Sequence, residues 1–266
     1  LGNSYDGVDI CAYKWNSFTF NHYSIGSLKY FAKHDNPELY SEIECSLEKP
    51  LFDAVKFNSE YLLNTEEENI KDNTSFLSKY VIDWFNGDTK TLAIKSSYNT
   101  GKTRLIEKII KEFQVKKVLF ISYRQTLSNE LHGSFKELGV DSYLDGFYDS
   151  DKLICQIESL YKLLPDNLFI GQENEIPTYD LIILDEIESI LNHFRSSTIS
   201  HKEATFNLMK DIIFNSSKVL ALDGDFDNRS YHYLKYFGKN MVLHNEVKKD
   251  KRHFIFTNNK NEFESQ

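Results

Sequence analysis

Cysteine is scarce: three occur in 266 residues, Cys11, Cys45 and Cys155. They are odd in number and far apart, with no C-x-x-C pair and no Cys/His ligand spacing. That argues against a structural zinc motif and a disulfide framework, and for an intracellular, reducing compartment. The 8 histidines are scattered too and read as surface or packing residues. No apolar run reaches the roughly 18 residues of a membrane-spanning helix, so no membrane contact is expected. Excess positive charge is also missing, since 31 Lys+Arg face 40 Asp+Glu for a net charge of −9. This excludes a nucleic-acid binder that works by bulk charge but leaves room for a local basic groove. The first residue is Leu1 and no charged-then-apolar leader follows. The expectation is an internal segment of a longer protein rather than a secreted precursor.

What is present is ordinary globular material, 41% hydrophobic and 27% charged, enough for one large domain or one domain plus a smaller piece. Residues 1–90 hold 8 Lys+Arg against 15 Asp+Glu, whereas residues 91–266 hold 23 against 25. The acidity therefore sits in the first third. Its strongest run, Glu66-Glu67-Glu68, lies in the polar stretch Asn64–Asn73, which reads as a linker, an exposed loop or a solvated helix end. Residues 26–38 are helix-like and broken at Pro37. Trp15, Phe18, Phe20 and Tyr23 read as core residues of an N-terminal extension.

From residue 91 the pattern becomes regular. Short apolar runs, Leu92–Ile94, Val118–Ser122, Leu153–Ile157, Leu181–Asp185, Val219–Asp223 and Met241–Leu243, alternate with helical spacing over Arg104–Phe113, Gln125–Leu138, Ser159–Leu164 and Lys202–Phe214. Strands apolar on both faces and separated by helices predict an α/β fold, a parallel sheet with helices on both faces. In such sheets functional loops lie at the carboxyl ends of the strands. The chemistry-bearing residues fall at those ends.

The strongest segment is Ser96-Ser97-Tyr98-Asn99-Thr100-Gly101-Lys102-Thr103, between a strand and a helix. This is the context of a phosphate-binding loop. Loop amides and a helix N-terminus face one concavity. Lys102 reaches the β- and γ-phosphates, Thr103 can ligate Mg²⁺, and Gly101 lets the backbone approach. Two positions depart from the usual pattern. Ser96 stands where the first glycine falls, and Asn99 stands at a second glycine position. Asn is the non-glycine residue that best tolerates positive φ. The second segment, Leu181–Glu188, runs four apolar residues into Asp185-Glu186, 83 residues after Lys102. Asp185 suits the Mg²⁺ shell and Glu186 suits activation of an attacking water. A degenerate, non-catalytic binding or scaffold domain and a P-loop phosphotransferase stay open as alternatives. Asp-Glu favours water over another acceptor.

Together these segments resemble the superfamily 2 helicases, and most closely the herpesvirus-type replication origin-binding proteins and their relatives in large DNA viruses. The resemblance covers about residues 75–257. It implies a RecA-like P-loop NTPase domain that uses ATP and Mg²⁺, with Lys102 and Glu186 catalytic. Val118–Leu127 resembles the backbone-contacting segment of those motors, which implies DNA contacts at Ser122, Tyr123 and Arg124. Leu153–Leu160 resembles the next such segment, with Gln156 and Ser159. Ala221–Asp225 resembles the segment coupling nucleotide state to DNA, with Asp223, Gly224 and Asp225. Structural readings stay open for each: Tyr123 packed in the core, Gln156 and Ser159 as strand end and helix cap, Asp223 and Asp225 as a turn.

The resemblance also implies a boundary plan. Residues 1–73 form an extension or linker, in which residues 26–38 have a slight likeness to segments that join primase modules to helicases. Residues 74–247 form the first motor domain, and residues 248–266, with a strand at His253–Thr257, begin a second that is truncated. The implied partners are single-stranded or origin-duplex DNA, that second motor domain, and primase or other replication proteins, in a nucleus or at a viral replication site. An arginine finger from the second domain is worth about 10³–10⁵ in rate in related hydrolases, so the chain alone is expected to hydrolyse ATP poorly.

Overall fold

The apolar runs become strands whose successive residues point to opposite sides of one sheet. In the computed structural model, which describes residues 32–41, 50, 52–63, 70, 76–164 and 176–247, the chain divides into two units, Leu1–Leu51 and Phe52–Gln266. In the first, residues 32–35 and 37–41 are helical. The interruption falls at Asn36, whose side-chain oxygen accepts the Leu39 amide at 3.0 Å. Asn36 thus caps a new helix that Pro37 opens, a position where proline's missing N–H costs nothing. The expectations for residues 1–31, 64–69, 71–75 and 248–266 lie outside the described residues.

Among its described residues the second unit has eight strands: β1 (Val55–Phe57), β2 (Thr91–Lys95), β3 (Val118–Ser122), β4 (Asp141–Ser142), β5 (Lys152–Gln156), β6 (Leu181–Asp185), β7 (Lys218–Asp223) and β8 (Asn240–Asn245). They form one sheet in the order β1-β8-β2-β7-β6-β3-β5-β4. Every pairing is parallel. The helices are α1 (Phe76–Asn86), α2 (Lys102–Glu112), α3 (Gln125–Phe135), α4 (Ile187–His193), α5 (Lys202–Asn215) and α6 (Asn228–Lys235). Where a helix is expected over Ser159–Leu164, the chain forms a 3-10 helix at Ile157–Leu163.

Strand alternation creates two cores. Leu92, Ile94, Val118, Phe120, Ile183 and Leu222 face one side with Val81 and Trp84 of α1, Leu105 and Ile109 of α2, and Phe135 of α3. Ala93, Leu119, Ile121, Ile182, Leu184 and Ala221 face the other with Ile187 of α4, Met209 and Ile213 of α5, and Leu234 of α6. Both faces are covered by helices, which explains why the strand sequences are continuously apolar rather than alternating. Each fully buried Leu or Ile contributes about 1.5–3 kcal/mol. The end of α1 is closed by Lys218, whose Nζ donates to the carbonyls of Trp84, Gly87 and Thr89 at 2.8, 2.7 and 2.8 Å. Among the described residues no helix is long and apolar enough to cross a membrane.

The sheet recruits β1, whose Val55–Phe57 pairs with Leu243–Asn245 of β8. Leu62, Leu63 and Ile70 are buried in the same core as α1 and α2. Val55–Phe57, Leu62, Leu63 and Ile70 therefore belong to the sheet and core of the second unit, and the three-residue strand is too short to show a period in sequence.

Cys155 lies in the middle of this packing, 0% exposed, and burial pushes its thiol up to about 12. A thiol so protonated and enclosed is inert. Cys155 is expected to stay unmodified by an alkylating reagent in the native chain and to react fully in denaturant, as read by peptide mass spectrometry.

Candidate nucleotide and nucleic-acid site

The site is assembled from strand ends that the register holds level. Lys95 of β2 lies opposite Asp223 of β7, and Leu222 of β7 opposite Asp185 of β6. The Ser96 amide donates to the Asp223 carbonyl at 2.9 Å, and the Glu186 amide to the Leu222 carbonyl at 2.8 Å. Three loops therefore leave the sheet side by side.

The first loop, residues 96–101, turns tightly because Asn99 (φ 58) and Gly101 (φ 82) both adopt left-handed backbone. Asn99 tolerates this because its short polar side chain relieves the cost that other residues meet. Gly101 is the N-cap of α2 and offers no side-chain cap. The first amides of that helix therefore lack a side-chain partner and stand ready for an anion. Lys102 Nζ donates to the Ser96 carbonyl at 3.3 Å and lies 5.1 Å over the Tyr98 ring. Ser97 is half-buried, Thr100 buried, and Tyr98, Asn99 and Thr103 exposed.

The acids stand across from the lysine. Asp185 is 8% exposed, and its Oδ1 is buried with no hydrogen-bond partner among the described residues. Burial above all, with the charges of Glu186 and Asp223 behind it, pushes its carboxyl up to about 6, while Lys102 pulls it down. Asp223 is pushed up as well, first by burial, and Lys102 opposes that shift too. One ammonium thus acts on both carboxylates. Glu186 sits at φ 62, ψ 58, left-handed backbone in a non-glycine residue, and turns β6 directly into α4. Such strain costs about 1–3 kcal/mol and concentrates at functional sites. The Glu186 charge, first, and then burial push the Tyr98 phenol up.

The third loop ties the other two together. Asp223 accepts the amides of Glu188 and Asp225 at 2.8 and 2.7 Å. A Cβ placed on Gly224 would lie 3.5 Å from the Ser96 carbonyl, so this loop rests on the phosphate loop. Glu188 in turn accepts from the Arg229 guanidinium and from the Ser230 hydroxyl at 2.5 Å, pinning α4 to α6. Among the described residues no group of three His, Cys, Asp or Glu side chains forms a metal cage. A single buried carboxylate with a free oxygen suits Mg²⁺, which takes most of its ligands from phosphates and water.

The residues expected to meet DNA divide. Tyr123 and Arg124 follow β3, with the exposed guanidinium 4.8 Å over the half-buried ring. The Tyr123 hydroxyl donates to Glu186 Oε2 at 3.4 Å, so the strand end touches the acidic pair. Ser122, by contrast, is 0% exposed and paired with the Ser128 hydroxyl at 2.5 Å. Its hydroxyl is turned inward onto α3. Gln156 is committed internally: it accepts from the Tyr143 hydroxyl at 2.6 Å and donates to Glu158 at 2.9 Å and to the Tyr123 carbonyl at 3.4 Å. Ser159 is half-buried on the following 3-10 turn. Sequence reasoning did not single out Glu158 and His193, paired at 2.8 Å beside the Tyr123 ring, nor Arg229 or Asn245.

A parallel sheet covered on both faces, with a lysine loop after one strand and an Asp-Glu pair after a nearby one, is the arrangement of a RecA-like α/β domain. The chain belongs to the origin of replication binding protein family, whose description matches residues 86–237. Two relatives come from Acanthamoeba polyphaga mimivirus. One, provisionally named a replication origin-binding protein, is 38% identical over 69% of this chain and 24% of its own length. The other bears a provisional helicase name and is 33% identical over 80% of this chain and 20% of its own. A protein of African swine fever virus, provisionally named as part of a helicase/primase complex, is 26% identical over 55% of this chain and 14% of its own. The chain thus spans about a quarter or less of the curated relatives it matches.

Proposed function

We propose that this chain carries the first motor domain of an ATP-dependent DNA helicase that acts in replication. The observation that supports this most directly is the buried, unpartnered oxygen of Asp185, at a strand end beside the lysine loop. A carboxylate left unsatisfied in a protein interior is costly unless a cation joins it. Lys102, the loop 96–101 and the α2 amides bind the triphosphate, and Thr103 and Asp185 hold Mg²⁺. The ion, when bound, neutralises charge on the β- and γ-phosphates. Glu186 orients the attacking water and takes its proton. Tyr123, Arg124 and Ser159 meet the DNA strand, Ser122 and Gln156 shape that surface, and Asp223, Gly224 and Asp225 link nucleotide state to it.

A second motor domain completes the ATP site in the whole protein. The relatives' names support origin DNA and a primase-containing assembly as partners, at the site of viral replication. Lys102→Ala is expected to abolish Mg–ATP binding measured by calorimetry while circular dichroism stays unchanged. Unaltered ATP affinity in that variant ends the proposal.

A further inference from the structure

The phosphate loop lacks its usual first glycine, and the structure shows what Ser96 does there. We propose that Asn245, at the end of β8, is a positioning residue for the loop and acts through the Ser96 hydroxyl. The inference rests on the nucleotide-binding reading of that loop.

An amide nitrogen only donates. Asn245 Nδ2 donates to Ser96 Oγ at 3.1 Å, so the Ser96 proton is free to point onward. It points to Thr100 Oγ1 at 2.8 Å, and the Thr100 hydroxyl donates to the Ser97 carbonyl at 2.8 Å. The chain Asn245→Ser96→Thr100→Ser97 therefore runs in one direction and spans the loop from its first residue to the one before Gly101. Ser96, Thr100 and Asn245 are 1%, 0% and 3% exposed, so water does not compete for these bonds.

Asn245 itself is fixed. Its second N–H donates to the Ser59 carbonyl at 2.8 Å, and its oxygen accepts the amides of Ser59 and Val247 at 3.0 and 3.3 Å. Both donors and both lone pairs are used, and a flipped amide would set oxygen against the Ser59 carbonyl. Two further bonds fasten the loop to the same segments. The Leu62 amide donates to the Thr100 carbonyl at 2.8 Å, and the Ser97 hydroxyl donates to the Val247 carbonyl at 3.4 Å. The serine thus exchanges the freedom of a glycine for an anchored cradle, shaped before nucleotide arrives.

The test titrates the 266-residue chain with Mg²⁺ and a fluorescent ADP derivative. Ser96→Ala and Asn245→Ala are each expected to bind about tenfold more weakly. The double variant is expected to bind no more weakly than Asn245→Ala alone, because both changes cut one chain. Ser96→Gly restores the usual residue yet also loses the hydroxyl, and is expected to weaken binding. Ser96 variants that bind as tightly as the wild type, or a fully additive double variant, overturn the proposal. Should Asn245→Ala not fold, the two Ser96 variants decide, read beside their melting temperatures. Weakened binding at unchanged melting temperature supports positioning, and a lowered melting temperature at unchanged affinity overturns it. A wild-type chain that binds no Mg–nucleotide ends the underlying reading instead, a result distinct from equal binding by all variants.

Discussion

Glu186→Gln is expected to leave ATP bound and to slow its hydrolysis by about 10²–10⁴. The two side chains have the same shape, and the Tyr123 hydroxyl that donates to Glu186 Oε2 finds an acceptor oxygen in the amide. The left-handed backbone at this position places no greater demand on Gln than on Glu. What disappears is the group that takes a proton from water. Binding is expected to hold or tighten, because the Glu186 charge is one of the influences that raise the Asp185 carboxyl. Without it Asp185 ionises more readily and suits Mg²⁺ better. Single-turnover phosphate release from wild type and variant, measured as a ratio, tests this even where both rates are low. Equal rates would remove Glu186 from the proton-transfer role.

The parts legible in the sequence were those whose physics is local. Val118–Ser122, Leu181–Asp185 and Val219–Asp223 are buried on both faces, and such strands appear in sequence as unbroken apolar runs. The lysine loop and the Asp-Glu pair could be placed at strand ends because one short segment carries each pattern. Asn99 could be read because left-handed backbone restricts residue type, and the structure gives it φ 58. The parts that were not legible depend on partners far along the chain. β1 and β4 are three and two residues long and exist only through pairing with β8 and β5. Asn245 reaches Ser96 across 149 residues, and nothing in Asn240–Asn245 marks that residue beforehand. Ser122 and Gln156 sit at strand ends, where sequence does not say whether a polar group turns outward or inward. Ser128 settles the first and Tyr143 the second.

The second large effect concerns Asp185, which the fold holds against its own stability. Its carboxyl moves from 3.8 to about 6 on folding, so the folded state binds a proton that the unfolded chain has released over that range. The stability this gives is fully present below about pH 4 and is lost as pH rises through about 6. That rise, in which the opposing pull of Lys102 is already included, corresponds to at most about 3 kcal/mol. Asp185→Asn keeps the shape and removes the buried charge. At pH 7.5, without metal, the variant is expected to be more stable by about 2 kcal/mol, roughly 4–8 °C in melting temperature. Near pH 4 the advantage is expected to vanish, since both chains are then neutral at this position. Mg²⁺-dependent ATP hydrolysis is expected to fall at least about 100-fold, because the neutral amide lacks the charge with which a carboxylate holds Mg²⁺. A variant that melts below the wild type at pH 7.5, by an amount that does not change with pH, would show that Asp185 is held by pairing within the protein. In that case the free oxygen would no longer point to a cation. The opposite outcome, stability gained and hydrolysis lost by one substitution, is what a site built for a metal and a triphosphate requires.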